Sequence, residues 1–220
     1  MLTLFVSLGR WQWSRASEKE VAQRQFEERG AALDADSRDL ASLGRFQRVR
    51  LTGRFEPDRQ FLLDNRSHAG KPGYEVLTPF LLDDGGRVLV NRGWIAFTGY
   101  RDRLPDLSMP ANSSEAIAIT GRLAELPQSG LASGRASPDV VSAWPKVTSF
   151  PTFDELARAL DARLESRVLL LDAQNRDGYL RDWQPPGVPA SRHLSYAVQW
   201  WGFGVLLLVL YFALNLRKVP

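Results

Sequence analysis

The sequence predicts a membrane-anchored α+β protein. Its main domain is expected to be an antiparallel β-sheet or partly closed β-barrel with two peripheral helices, flanked by transmembrane helices at both ends. Three observations lead to this fold class. The run from Leu194 to Leu216 has no charged residue, and as a helix it would be about 34 Å long, enough to cross a hydrocarbon core of about 30 Å. Residues 45–96 alternate apolar and polar side chains, as half-buried strands do. Residues 152–164 carry apolar side chains at helical spacing.

The chain begins with an apolar segment, residues 1–13, that is short for a membrane span. A signal peptide is one interpretation, although the segment has no basic start and no small-residue cleavage site. The alternative is the end of a longer first transmembrane helix that starts before Met1, with Trp11 and Trp13 at the membrane interface. Ser14 to Gly30 then predicts a charged, solvated helix that Ser14 caps and Gly30 ends.

The segment 14–192 is predicted to be the extracytoplasmic domain. Asp83-Asp84-Gly85-Gly86 predicts a hairpin between two of its strands. Thr152 with Glu155 three residues later forms a capping box, which predicts a helix over residues 152–164. The strands are predicted at residues 46–55, 60–66, 74–82, 87–95, 116–123 and 167–172. Residues 105–114, 127–145 and 182–189 are rich in Pro, Ser or Gly and predict loops or extended connections.

The C-terminal transmembrane helix is predicted over residues 193–216, with a tail of residues 217–220. Arg217 and Lys218 form the kind of basic flank that stays in the cytoplasm. The C-terminus is therefore expected in the cytoplasm, and the domain of residues 14–192 on the outer side of the membrane.

Composition excludes several kinds of function. The chain has no cysteine, so it forms no disulfide and no thiolate metal site. With two histidines and two methionines it has few ligands for copper delivery. A net charge of +3 without a basic stripe predicts no nucleic-acid partner. The sequence contains no phosphate-binding loop, zinc-protease motif or nucleophile elbow, which predicts a protein that is not an enzyme.

His193 stands at the start of the C-terminal membrane helix. The first turn of a helix favours neutral imidazole, the form that binds haem iron, and Arg192 beside it could meet a haem propionate. Gln199 is expected to face protein or a bound molecule rather than lipid. The competing interpretation is an interfacial histidine among lipid headgroups. At roughly 100° per residue, the residues on one helix stripe are His193, Tyr196, Ala197, Trp200 and Gly204.

Four blocks resemble a known family. They are LGRWQWSRASEK at 8–19, FLLDNRSHAGKPGYEVLTPF at 61–80, VLVNRGWI at 88–95 and HLSYAVQWWGF at 193–203. In this order they resemble bacterial members of the surfeit-locus-one family of cytochrome c oxidase assembly factors. Residues 104–150 carry little resemblance. The first membrane helix is shorter than the family needs, and Trp13 stands where an aliphatic residue is usual.

The resemblance implies a plasma-membrane protein that binds haem a transiently and aids its insertion into the catalytic subunit of cytochrome c oxidase. His193 matches the family's proposed haem ligand and would contact a metal only through the haem iron. Arg192, Tyr196 and Trp200 are the haem-binding residues predicted beside it. Other residues predicted near the site are Trp11, Gln12, Arg15 and Gln199.

A second function remains open: a membrane-anchored scaffold that stabilises an oxidase assembly intermediate without binding haem. The candidate contact residues lie in the segment DNRSHAGKPGYE and are Asn65, Arg66, Gly73 and Tyr74. The same residues could instead shape a tight turn. His68 in that segment is expected to be a solvated loop residue.

Overall fold

A computed structural model describes residues 1–27, 30–110, 115–128, 134–185 and 187–216. The chain divides into two compact units. One contains Met1–Glu28 and Gln184–Pro220, and the other is Arg29–Trp183. Arg217 and Lys218, on which the predicted membrane orientation depends, lie outside the described residues. The predicted boundaries at residues 13, 192 and 216 concern a membrane and stay predictions.

The helices and strands formed by the described residues are, in chain order, α1 (Leu2–Glu27), β1 (Leu33–Asp34), α2 (Ser37–Leu40), β2 (Arg48–Phe55), β3 (Phe61–His68), β4 (Lys71–Leu82), β5 (Arg87–Ala96), β6 (Ile117–Ala124), β7 (Lys146–Thr148), α3 (Phe153–Leu160), β8 (Val168–Leu171) and α4 (Ala190–Asn215).

The strands form a closed barrel of mixed direction. Within the described part of the chain the sheet order is β1-β2-β6-β8-β5-β4-β3-β7, and an additional pairing of β2 with β4 closes the ring β2-β6-β8-β5-β4. The predicted β-barrel is confirmed, but the sheet is mixed rather than antiparallel, because β1 pairs parallel with β2, β3 with β7 and β5 with β8. A parallel pair needs a long crossover connection, and the segment containing α3 brings β8 back beside β5 in the same direction.

Alternating side chains of the barrel strands fill its interior. From β2 these are Val49, Leu51 and Phe55, with Phe80 from β4 and Val90 from β5 among their partners. A second cluster lies on the outer face, where the buried Leu156 and Leu160 of α3 pack with β3, β4 and β5. The two faces together explain why the strands carry apolar residues on both sides near their centres.

Several predicted elements are confirmed, among them the hairpin between β4 and β5 and the helix α3. The hydroxyl of Thr152 accepts from the backbone N–H of Glu155 at 3.3 Å, and Glu155 Oε2 accepts from the N–H of Thr152 at 2.8 Å. The helix ends at Leu160 rather than at residue 164, since Asp161 has a left-handed φ of 52°.

The predicted loop around His68 is wrong: Ala69 and Gly70, both with positive φ, form a tight turn between β3 and β4.

The predicted helix from Ser14 to Gly30 is wrong as a separate element. It belongs to α1, one helix that runs from Leu2 to Glu27. Between Arg10 and Glu27 the sequence has no Gly or Pro to interrupt the helix, so the change from apolar to charged residues marks a change of surroundings along it. The short α2 is the other helix besides α3 in the described part of the barrel unit.

In the other unit, α1 and α4 pack antiparallel along a seam of small residues. Gly9 and Ala16 of α1 are buried, as are Ala197 and Gly204 of α4. A Cβ added at Gly9 would lie 2.1 Å from Nε1 of Trp201. Small residues let helix backbones approach closely, which is how membrane helices associate.

The surface of α4 away from the seam is apolar and exposed. Among the described helices α4 alone is long and apolar enough to cross a membrane, with a mean hydropathy of 1.9. Val198, Val205 and Val209 are all more than half exposed. Burial in a soluble core would cover such side chains, whereas a lipid environment accounts for their exposure. The helix begins at Ala190, earlier than the predicted residue 193.

Replacement of Gly53 is expected to weaken the barrel. Gly53 pairs with both Ile117 of β6 and Leu82 of β4, and a Cβ there would lie 2.1 Å from the backbone oxygen of Leu81. Gly53→Ala should lower the free energy of unfolding by about 1–3 kcal/mol. The measurement is the Tm of the full-length protein in detergent. Gly44→Ala is the control, because no atom lies within 4 Å of its added Cβ. Equal Tm values for the two variants would contradict closure at Gly53.

Replacement of Gly9 is expected to loosen the seam. The new methyl group of Gly9→Ala must displace the ring of Trp201, which also contacts Trp13 at a centroid distance of 5.9 Å. The tryptophan emission of the detergent-solubilised protein should shift, and its thermal transition should fall. In the matched control Gly202→Ala, the added Cβ has no atom within 4 Å, so emission and Tm should stay as in the wild type. An unshifted Gly9→Ala spectrum would show that the seam is not packed at Trp201.

Candidate functional site at the helix pair

His193 lies in the first turn of α4 and reaches across the seam to α1. Its Nδ1 lies 2.8 Å from the side-chain oxygen of Gln12. An amide oxygen only accepts hydrogen bonds, so the contact is a hydrogen bond in the tautomer that carries its proton on Nδ1. That tautomer leaves the lone pair of Nε2 free to bind a metal.

Aromatic rings follow His193 along the seam. Trp200 stacks on Phe5 of α1, with a centroid distance of 6.0 Å and an interplanar angle of 23°. Phe203 contacts both of these rings at about the same distance. The site therefore combines one imidazole with a largely apolar aromatic surface. Phe5 and Trp201 were not among the predicted site residues, although their spacing from Gly9 and Ala197 could have placed them on the contact face.

The predicted stripe of α4 is the face that packs on α1. Ala197 and Gly204 are buried, while His193 and Trp200 are partly buried. Tyr196 is 46% exposed and lies at the edge of this face. The structure thus brings His193, Trp200 and Gln12 together and leaves Tyr196 open to the surroundings.

The remaining predicted neighbours of the site are exposed. Arg15 forms an ion pair with Glu18 at 2.7 Å, and its guanidinium lies 5.9 Å from the ring centre of Trp11. Both contacts stay within α1. Arg192 and Gln199 are exposed on α4, so Gln199 does not face protein within the described residues.

A cavity of about 480 Å³ lies beside the start of α4. The C-terminal half of α1 contributes Lys19 and Arg24 to its lining, and the segment before α4 contributes Val188 and Pro189. Glu20 also lines the cavity, so its charged side consists of two basic groups and one carboxylate beside an apolar wall.

The predicted partner-contact residues belong to the β3–β4 hairpin, where the pairing register shifts between Leu63 and Arg66. Asn65 is exposed and donates through its amide to the hydroxyl of Ser149 at 3.1 Å. Arg66 lies 3.7 Å from the carboxylate of Glu75. Gly73 and Tyr74 are buried, and burial raises the pKa of Tyr74. Only the first two residues of the four therefore reach the surface of the barrel unit.

A buried polar cluster in the barrel was not predicted. Arg92 is 3% exposed and donates to Gln60 Oε1 at 2.9 Å and to the backbone oxygen of Asp177 at 2.6 Å. Desolvation lowers its pKa. Thr78 also donates to Gln60. The alternation of Val88, Val90 and Arg92 could have placed this arginine inside, but no contact indicates more than a structural role.

The helix pair contains one histidine, His193, which limits how it could bind a metal. Within the residues that the structure describes, no group of three or more His, Cys, Asp or Glu side chains could bind an ion directly. One imidazole suffices as an axial ligand when the porphyrin of a haem supplies the other donors.

Comparison with known proteins gives a consistent relationship over nearly the whole chain. A model of the SURF1 family matches residues 1–205. A SURF1-like protein of Rickettsia felis is 28% identical over 221 residues, covering 95% of this chain and 91% of the relative. One from Rickettsia bellii is 29% identical over 220 residues, covering 94% and 85%. An uncharacterized SURF1-like protein of Mycobacterium tuberculosis is 31% identical over 161 residues, covering 73% and 56%. The resemblance expected from the four sequence blocks is thereby confirmed, and the chain belongs to the SURF1 family, a family of cytochrome oxidase assembly factors.

Proposed function

We propose that this protein holds haem a transiently at the α1–α4 seam and passes it to the catalytic subunit of cytochrome c oxidase. Haem a is the cargo in this proposal, and Nε2 of His193 is the axial ligand to its iron. The observation that carries the proposal is the hydrogen bond from His193 Nδ1 to Gln12. With the proton on Nδ1, Nε2 is the nitrogen available to a metal.

The residues around His193 fit a haem. The rings of Phe5, Trp200 and Phe203 offer an apolar surface for a porphyrin. Arg192 on α4 and the basic residues Lys19 and Arg24 of the cavity supply cations for propionates. Tyr196 at the open edge of the seam is a further candidate contact.

The proposed location follows from α4 as a membrane anchor. An exposed apolar helix followed in sequence by Arg217 and Lys218 supports a bacterial plasma-membrane protein with a cytoplasmic C-terminus. The barrel unit then lies on the outer side. This orientation supports delivery of haem at the outer leaflet.

The catalytic subunit of the oxidase is the proposed partner of the barrel unit. Asn65 and Arg66 are the predicted contact residues with exposed atoms. They lie on β3, which pairs with the barrel strand β4, and docking a preformed surface costs little conformational entropy. The alternative function, a scaffold that binds the same subunit without haem, shares this surface and differs in whether His193 binds iron.

Replacement of His193 tests the haem proposal. Full-length protein is purified in detergent from cells that synthesise haem a, and its visible spectrum is recorded. The wild type should show a Soret band, and His193→Ala should lose it, because the aromatic surface alone offers iron no ligand. His68→Ala is the matched control, since His68 lies in the barrel unit against Trp94, and it should keep the band.

Co-purification of the oxidase subunit separates the two functions. Haem-free wild type that still co-purifies with the subunit would favour the scaffold. An unaltered Soret band and oxidase activity in His193→Ala would refute the ligand assignment.

A further inference from the structure

We infer that Gln12 is a positioning residue that holds His193 in its metal-binding tautomer and sets the donor strength of Nε2. This inference rests on the proposed function, because it concerns the same imidazole. In this inference α4 supplies the ligand His193, and α1 supplies Gln12, the acceptor that orients it.

The backbone positions of both residues are held by close packing. Gln12 stands on the contact face of α1 between the buried Gly9 and Ala16. His193 stands one turn before the buried Ala197 of α4. Both side chains are partly buried.

The amide oxygen acts on the ring in two ways. It accepts the Nδ1 proton and thereby fixes which nitrogen keeps its lone pair. The two ring nitrogens point in widely different directions, so a ring tied to α1 through Nδ1 directs Nε2 away from Gln12.

A neutral acceptor has a specific chemical consequence. Metal-bound histidines commonly donate their second N–H to a carboxylate or a carbonyl, and this partner raises the basicity of the ligand. A carboxylate withdraws the proton more strongly than an amide does and gives the ring more anionic character. With Gln12 as partner, His193 is an oriented ligand of moderate donor strength, which suits a molecule that must be bound and released.

The test replaces Gln12 in the full-length, haem-loaded protein. Gln12→Leu removes the acceptor at similar size, and Gln12→Glu replaces it with a carboxylate. Gln199→Leu is the control, because Gln199 is an exposed amide on α4. The readouts are haem content, the iron–histidine stretching frequency by resonance Raman spectroscopy, and the reduction potential of the bound haem.

Gln12→Leu should weaken haem binding by about 10–100-fold and lower the iron–histidine frequency. Gln12→Glu should keep the haem, raise that frequency and lower the reduction potential. Gln199→Leu should match the wild type in all three readouts. If Gln12→Leu fails to fold, the opposite shifts expected of Gln12→Glu still decide the question.

The two proposals fail in different ways. Wild-type frequency and potential in Gln12→Glu, together with loss of haem in His193→Ala, would overturn the role of Gln12 and leave the haem proposal standing. Unchanged haem content in His193→Ala would overturn the haem proposal itself. A merely structural Gln12 would change haem content in Gln12→Leu without moving the potential of Gln12→Glu.

Discussion

The close approach of α1 and α4 is the constraint on which the candidate site depends. Gly9, Ala16, Ala197 and Gly204 are buried where the two helices meet, and a Cβ added at Gly9 would clash with the ring of Trp201. In lipid the hydrophobic effect does not drive helices together, so this tight van der Waals packing itself stabilises the pair. The hydrogen bond between Gln12 and His193 exists only at this separation, because neither side chain could span a wider gap.

The barrel unit achieves its packing by different means. Its interior is filled from all five strands of the ring, and β2 closes the ring by leaving β6 for β4 at Gly53. Arg92 is a charged residue buried in this unit, and its hydrogen bonds must be satisfied there. A buried guanidinium without hydrogen bonds would cost several kcal/mol, and Gln60 with the carbonyl of Asp177 meets that need. These contacts all lie within the barrel unit.

Local sequence patterns predicted much of the fold. The alternation in β2, the turn residues at Asp83–Gly86, the capping box at Thr152 and the uncharged run in α4 each encode an element within a few residues, and each element formed. The parallel pairing of β5 with β8 could not be predicted this way, because it depends on the direction in which a distant segment returns. The division of α1 at Ser14 failed for a related reason: a change of charge along a helix resembles a helix start when only the local pattern is considered.

The same distinction applies to the candidate site. His193 was singled out by its position at a helix start and its stripe, which are local features. The family resemblance placed Gln12 near the site, but its hydrogen bond to His193 was not predicted, since Gln12 lies 181 residues away in sequence and the register between two helices cannot be inferred from either alone. The contact face of α1 could nevertheless be inferred from the sequence. Phe5, Gly9, Gln12 and Ala16 follow one another at intervals of four and three residues, so they lie on one side of the helix. In the barrel unit, Tyr74 was a candidate surface residue because it lies close to a turn. It is buried because side chains alternate along β4.

Under the proposed function, transient binding would place opposite demands on a haem ligand, and the contact between His193 and Gln12 suits both. Retention requires an oriented imidazole with a free Nε2, which the bond to Gln12 supplies without a charged partner. Release requires that the bond to iron remain weaker than those of the destination. A carboxylate beside Nδ1 would strengthen the iron bond and would itself be costly to bury between two helices in a membrane. An amide avoids both effects. In the proposed function, a glutamine rather than an acidic residue at position 12 is therefore compatible with transient binding of haem.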